Sequence, residues 1–252
     1  MQNIYSWEKS LIKKNSKKKL SSGRIVWLSN LKKIKKSPTI FVANEFFDSI
    51  AIKQFIKLND SWFERYVNIE NKNKAFFFDK KINMKNFEKK IHYQISNRQK
   101  FIEYSKTGID YLKIISKIIK KNNGGALIID YGYFDDKMKN TLQAVSNHRY
   151  SNVLKNMGQC DITHNINFRL FKKIIKNIDG LNELTTTQRD FLIQIGIKKR
   201  AEIISKNLSF LKKADIYYRL NRLIDEKQMG NLFKVMIIKN KNNKFRLGFE
   251  NV

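Results

Sequence analysis

Apolar and polar positions alternate differently along the chain, and the changes mark its elements. Ile40 to Ala43 form a short unbroken apolar run that stops abruptly at Asn44, Glu45 and, after two phenylalanines, Asp48. A second run, Gly124-Gly125-Ala-Leu-Ile-Ile, ends in Asp130-Tyr131-Gly132-Tyr133. Continuous apolar runs of this length suit parallel strands buried on both faces, and open α/β sheets collect their ligand sites at the carboxyl edge. Two such strands, each delivering a carboxylate to that edge, predict an α/β enzyme that binds a nucleotide or cofactor.

Elsewhere the pattern is less regular. Residues 2–7 and 24–28 read as short strands around a lysine-rich helix over 10–20 that Ser10 caps. Segments 53–58, 62–69 and 75–81 carry β-favouring residues, with turns at Asn59-Asp60 and 71–74, and predict an antiparallel meander. Ile109, Leu112, Ile115 and Ile119 recur at helical spacing and predict a helix over 101–121. Phe168, Phe171, Ile174, Ile175 and Ile178 mark another helix, closed near Gly180. Thr185 with Gln188 forms a capping box before the apolar stretch 191–204. Residues 232–239 and 245–249 read as a terminal hairpin. One domain over 1–252 is the simplest organisation, with a β-meander and helical insertion at 53–100 and a helical insertion at 182–222.

The chain has 252 residues and a hydrophobic fraction of 42%, enough for a sizeable core. Its 51 Lys and Arg against 22 Asp and Glu leave a formal +29, which invites a nucleic-acid reading. The excess is nearly all lysine, evenly spread and mixed with Asn and Ile. A compositional bias explains that distribution, so no specific nucleic-acid partner is expected. The only cysteine, Cys160, excludes an internal disulfide and a cysteine metal cage, and fits a reducing compartment. His92, His148 and His164 lack metal-ligand spacing, so no metal site is expected. No window is apolar for long enough to span a bilayer, and the amino terminus lacks the pattern of a secretion signal.

Several candidates carry two readings. Asn44, Glu45 and Asp48 either hold a cationic, multi-donor substrate such as a guanidinium, or serve the fold, with Asp48 capping a helix and Glu45 pairing with a lysine. Asp130 either orients a substrate or caps a turn, and Tyr131 either stacks or hydrogen-bonds. His148 beside Arg149 is either a base or a loop hydrogen-bonding group. Asp161 with Thr163 suits a polar turn.

The ordered segments ANEFFDSIAIKQF, WFERYV, GGALIIDYGY, TLQAVSNHRYSNVLKNMGQCDITHNINF, TTTQRDFLIQIGIKKRAEII and MGNLFKVMII resemble the MidA family of S-adenosylmethionine-dependent methyltransferases. The resemblance implies a class I, Rossmann-like methyltransferase sheet of seven mostly parallel strands with helical and β insertions. It implies arginine N-methylation of a respiratory complex I subunit during assembly, in the mitochondrial matrix of a eukaryote or the cytoplasm of a bacterium. It assigns Glu8 to the cofactor ribose and places Asn44, Glu45 and Asp48 where methyl donor and acceptor meet. Glu45 and Asp48 would share the catalytic work. Asp130, Tyr131, Gly158, Asp161 and Thr163 would lie in motifs along the same edge, on the substrate side. The family's glycine-rich cofactor loop and first strand precede the acidic residue matched by Glu8, and the ten glycines contain no G-x-G. The sequence therefore predicts that 1–252 lacks this loop and alone folds poorly or binds S-adenosylmethionine weakly, with a start assigned too late, a split gene whose other, amino-terminal half docks in trans, or a decayed copy as the competing explanations. A non-catalytic assembly chaperone, or an inactive fragment, is the competing expectation.

Overall fold

A computed structural model describes residues 28–70, 74–146, 149–155 and 158–252. The strand expected at 2–7, the helix at 10–20, most of the strand at 24–28, and Glu8 with them lie outside the described residues. Where the sequence suggests one domain over 1–252, the chain divides by contact into two units, Met1–Lys36 and Ser37–Val252. The described part of the first contains a 3-10 turn, Leu31–Lys33, capped by the Asn30 side chain, which accepts from the Lys32 amide at 2.8 Å.

The second unit opens with β1 (Thr39–Asn44), β2 (Lys53–Leu58), β3 (Ser61–Glu70), β4 (Lys74–Ile82) and α1 (Met84–Ile91). Then come β5 (Phe101–Tyr104), α2 (Lys106–Asn122), β6 (Gly124–Tyr133), β7 (Gln143–Ser146), β8 (Arg149–Ser151), β9 (Asp161–Thr163) and β10 (Ile166–Asn167). It closes with α3 (Phe168–Lys176), β11 (Leu181–Thr187), α4 (Gln188–Gln194), α5 (Ile197–Ser205), α6 (Phe210–Ile224), α7 (Met229–Leu232) and β12 (Phe233–Asn240).

The central sheet runs β1-β6-β12-β11, with β10 adding a short parallel pair to the end of β6. β1 and β6 are parallel, and β12 is antiparallel to both β6 and β11. Four strands, β1, β6, β10 and β11, therefore point one way and β12 alone runs against them. The register Asn44↔Ile129 sets the ends of β1 and β6 side by side, one residue before Asp130. Two smaller sheets, β4-β3-β2-β5 and β8-β7-β9, follow the ends of β1 and β6 in the chain.

One sheet face is closed by helices. Ala126, Ile128, Met236 and Ile238 are buried on it, with Leu112, Ile115 and Ile119 of α2 and Phe171, Ile174 and Ile175 of α3. Burying a side chain of this size contributes about 1.5–3 kcal/mol. The spacing of the apolar residues in α2 is thus the spacing of its contacts. Ser105 starts that helix by accepting from the Gly108 amide at 3.1 Å. On the other face α4 and α7 lie against β12, whereas Ile40 and Val42 of β1 remain 80% and 68% exposed.

The meander expected from 53 onward forms as β2, β3 and β4. Other expectations are corrected. The helix predicted over 101–121 starts only at Lys106, because Phe101–Tyr104 pair with β2 through Ile102↔Phe55. The expected Thr185–Gln188 capping box is displaced. Thr185 and Thr186 belong to β11, and Thr187 caps α4 by accepting from the Asp190 amide at 3.1 Å. Residues 182–187 are thus strand, and only the rest of 182–222 is helical. Residues 245–249 form no hairpin strand. They turn so that Phe249 is buried against Phe191, while β12 takes β6 and β11 as partners.

Gly132 marks where the site's strand has no room for a side chain. A Cβ there would sit 2.5 Å from the Ile166 carbonyl oxygen and 2.5 Å from the Phe168 ring. Overpacking of this kind typically costs about 1–3 kcal/mol. The Gly132→Ala variant should lose about that much unfolding free energy in urea denaturation, seen as a lower midpoint, and an unchanged midpoint would contradict the tight β6–β10 packing.

Candidate functional site

The site is built at the carboxyl ends of β1 and β6. The Glu45 amide donates to the Ile129 carbonyl at 3.0 Å, carrying the parallel ladder one step beyond β1. Glu45 itself has φ +45, in the left-handed region that disfavours side chains with a Cβ. Such strained residues persist where the surroundings over-determine them, and they concentrate at functional sites. The chain then reverses, placing Phe46 outward and Phe47 inward. The Phe47 ring is buried and packs edge-on against Phe171 at 5.2 Å, while Phe46 meets Tyr111 at 5.5 Å.

The carboxylate of Asp130 holds this reversal. Its Oδ2 accepts from the amides of Phe47 at 2.9 Å and Asp48 at 3.3 Å, and its Oδ1 accepts from the Tyr131 amide at 2.9 Å. Asp130 is fully buried. Burial first, and then the nearby Asp48 carboxylate, push its pKa up to about 7, against the pull of the three amides. The geometry therefore shows Asp130 holding backbone, the turn-capping side of its two readings. Asp48 is only 4% exposed, and its Oδ1 is buried with no hydrogen-bond partner. Burial and the charge of Glu45 raise its pKa, while its own amide and that of Ser49 lower it.

The other residues singled out by sequence sit at varying remove. Asn44 and Glu45 are exposed beside each other, the Asn44 amide donating to Glu45 Oε1 at 3.4 Å. The Tyr131 ring packs on Phe233 at 4.1 Å. Its hydroxyl pKa is raised by burial and then by Glu45, Asp48 and Asp130, which places it in the same cluster. Thr163 ends β9, accepts from the Gln143 side chain at 3.2 Å, and adjoins the cluster through its neighbour His164. Asp161 lies at the exposed start of β9, and Gly158 is in an open loop at φ +85 with nothing near a would-be Cβ. His148 lies outside the described residues. No group of three or more His, Cys, Asp or Glu among the described residues is placed to hold a metal.

Two buried groups, Glu103 and Lys234, escape the sequence reading, and His164 is named there without a place in the site. The His164 amide donates to the Asp48 carbonyl at 3.0 Å, and burial pushes its ring pKa down to about 4, so the imidazole is neutral near pH 7. Glu103 on β5 accepts from the amides of Thr141 at 3.0 Å and Leu142 at 3.2 Å, from Gln54 at 2.8 Å, and from the Thr141 hydroxyl. It thereby fixes the segment that leads into β7. Lys234 lies opposite Asp130 across β12 and β6, but its ammonium donates to the Asn231 carbonyl and lies 5.4 Å over the Phe134 ring. No local pattern marks His164 or Glu103, because each depends on a partner distant in sequence, and Lys234, bonded to Asn231 three residues away, lies in no motif that announces its burial. Asp130, in contrast, is visible as the polar stop after an apolar strand.

The Asp130 pKa has a consequence for stability. Its folded value lies above the ordinary 3.8, so its contribution is fully present below about pH 4 and is lost as pH rises through about 7. Asp130→Asn removes the titration and one amide acceptor. The variant should be less stable at acid pH, and its denaturation midpoint should fall less between pH 4 and 7 than the wild type's. Parallel pH profiles would show that Asp130 does not titrate there.

Comparison with known proteins shows the family and the fold. The sequence profile of the family described as "Putative S-adenosyl-L-methionine-dependent methyltransferase" matches residues 6–187. The Caenorhabditis elegans protein named "Protein arginine methyltransferase NDUFAF7 homolog, mitochondrial" is 30% identical over 207 residues, covering 78% of this chain and 47% of the relative. Its Danio rerio counterpart, "Protein arginine methyltransferase NDUFAF7, mitochondrial", is 25% identical over 218 residues, covering 86% and 51%. The chain thus spans about half the length of the curated relatives it matches. A Burkholderia thailandensis crystal structure with bound S-adenosyl-homocysteine superposes with TM-score 0.73 at 22% identity, over 91% of this chain and 60% of that one. A second structure from that organism gives 0.75 at 21%, over 90% and 61%. These structures share the fold, and the profile match over 6–187 makes the chain a member of that S-adenosyl-L-methionine-dependent methyltransferase family.

Proposed function

We propose that the chain carries the acceptor-side half of a protein arginine N-methyltransferase that uses S-adenosylmethionine and acts on a subunit of respiratory complex I. The observation that carries this reading is the buried, unpartnered Oδ1 of Asp48, set beside Glu45 and Asp130 at the ends of two parallel strands. A buried carboxylate oxygen without a donor costs free energy unless something supplies one. A guanidinium does so with several N–H groups in one plane. The edge also fits the cofactor, whose sulfonium and ammonium are cationic and whose remaining polar groups suit the exposed Asn44 amide. The family membership and the names of the relatives support the same chemistry. The relatives' mitochondrial naming favours the matrix for a eukaryotic chain, and the bacterial cytoplasm is the corresponding compartment otherwise.

S-adenosylmethionine supplies an electrophilic methyl group on a sulfonium when bound. The chain's own contribution is placement. Glu45 and Asp48 hold the guanidinium by its N–H groups with one nitrogen turned toward the donor, and that orientation lowers the barrier through lost freedom already spent in binding. As that nitrogen gains its methyl, a proton leaves it for the Asp48 carboxylate. Burial that raises the Asp48 pKa suits it to accept that proton. Asp130 touches neither reactant in this scheme and keeps Asp48 in place through two amides.

The test is transfer of labelled methyl from S-adenosylmethionine to arginine in a mixture of isolated complex I subunits. The assay is run with the chain alone and with the amino-terminal half of a relative added. Asp48→Asn should lower transfer by about 10²-fold or more while leaving S-adenosyl-homocysteine binding within a few-fold. Cofactor binding with no methylated arginine under either condition would sink the enzyme reading and favour an assembly chaperone. Full activity in Asp48→Asn would remove the proposed role of that carboxylate.

A further inference from the structure

The corner between α5 and α6 is not used by the site described above, and it exposes the wrong kind of residue for a solvated turn. Phe210 and Leu211 open α6 and are 83% and 78% exposed. Across the corner Ile203 of α5 is 65% exposed, and Tyr218 on α6 is 71% exposed. Apolar side chains exposed singly are ordinary, but a contiguous group of them marks an interaction surface.

Charge at the corner is one-sided. Glu202 and Asp215 are paired within their own helices, with Lys199 and Arg219. Lys206, Lys212 and Lys213, which flank the apolar pair, form no ion pair among the described residues. The backbone adds to this field. α6 has no acidic residue in its first turn, and its N-cap Ser209 makes no side-chain hydrogen bond. The first amides of a 15-residue helix therefore point outward without a capping oxygen, beside three lysines. Uncapped amides at a helix amino terminus favour a phosphate.

We propose that this corner binds the surface of an anionic bilayer, with Phe210 and Leu211 entering the acyl boundary. Lys206, Lys212, Lys213 and the amino terminus of α6 then meet the lipid phosphates. Exposed apolar side chains at a helix start with lysines beside them in sequence suit an interfacial helix, because lysine stems can lie along an apolar boundary while the ammonium groups stay in water. The pairing of strongly exposed apolar side chains with lysines that form no ion pair among the described residues favours a partner that is both apolar and anionic, which is the character of an anionic lipid surface. Nucleic acid would satisfy the charge but leave Leu211 and Ile203 in water. No helix among the described residues is long and apolar enough to cross a membrane, so the attachment is peripheral.

The experiment is co-sedimentation of the full chain with phosphatidylcholine vesicles, with and without phosphatidylglycerol, at physiological ionic strength. Binding is expected only with phosphatidylglycerol present. The double variant Phe210→Ser with Leu211→Ser should bind about tenfold or more weakly, from the loss of two inserted apolar side chains. A control pair on β4, Phe76→Ser with Phe78→Ser, removes two partly exposed aromatic rings elsewhere, 38% and 41% exposed, and should bind like the wild type. Leu211→Trp keeps an apolar tip, and its emission, read as the difference from wild type, should move to the blue with anionic vesicles. No binding to anionic vesicles, equal binding by the double variant, equal loss in the control, or an unshifted Leu211→Trp spectrum would each overturn the proposal. Equal binding by the double variant would also show that net charge alone drives the association.

Discussion

A single carboxylate fastens the two strand ends that the rest of the site depends on. Asp130 accepts from three backbone amides, two of them in the loop leaving β1 and one on its own strand. The loop cannot move away from β6 without orphaning two buried N–H groups, which is far costlier than losing the same bonds in water. The cost of this arrangement appears in the pKa of Asp130, pushed to about 7 by burial and by Asp48. Two carboxylates are thus held in a dry setting where neither ionises easily, a state tolerated where a cationic ligand relieves it. Asp48 is carried by its neighbours on every side: by Asp130 through its amide, by His164 at its carbonyl, and by Phe47 packed against α3.

The fold was legible wherever local pattern and tertiary burial agreed. The apolar runs of β1 and β6 form parallel strands whose polar stops fall at the carboxyl edge; of the burial on both faces that such runs suggest, β6 buries one face and β1 leaves Ile40 and Val42 exposed. The 3.6-residue spacing of Ile109, Leu112, Ile115 and Ile119 matches the stripe that α2 lays on the sheet. The same stripe could not show where the helix starts. Phe101–Tyr104 look equally apolar, and only the pairing with β2 takes them out of the helix. The displaced cap has a similar cause. Thr185, Thr186 and Thr187 offer three hydroxyls in a row, and the register of β11 against β12 selects the third. Phe245–Phe249 read as a strand because their alternation is right, yet β12 has β6 and β11 on its two edges, leaving no free edge for a hairpin partner.

For the site, sequence revealed the carboxylates that end strands and assigned no role to nearby buried polar groups, of which His164 bonds to the Asp48 carbonyl. His164, Glu103 and Lys234 are each buried, and each makes its principal contact with a residue on another element or with a backbone group. Composition had a comparable limit. The net charge of +29 is spread so evenly that it carries little information. At the α5–α6 corner three lysines coincide with two exposed apolar side chains and an uncapped helix start.

The central claim is that ligand chemistry takes place at the edge formed by Asn44–Asp48 and Asp130–Tyr131. Amide hydrogen exchange of the chain, with and without saturating S-adenosyl-homocysteine, tests it most directly. The account predicts that exchange slows in residues 44–48 and 130–131, where the ligand would cover the loop that Asp130 fastens. Unchanged exchange in those residues, with protection appearing elsewhere or nowhere, would contradict it.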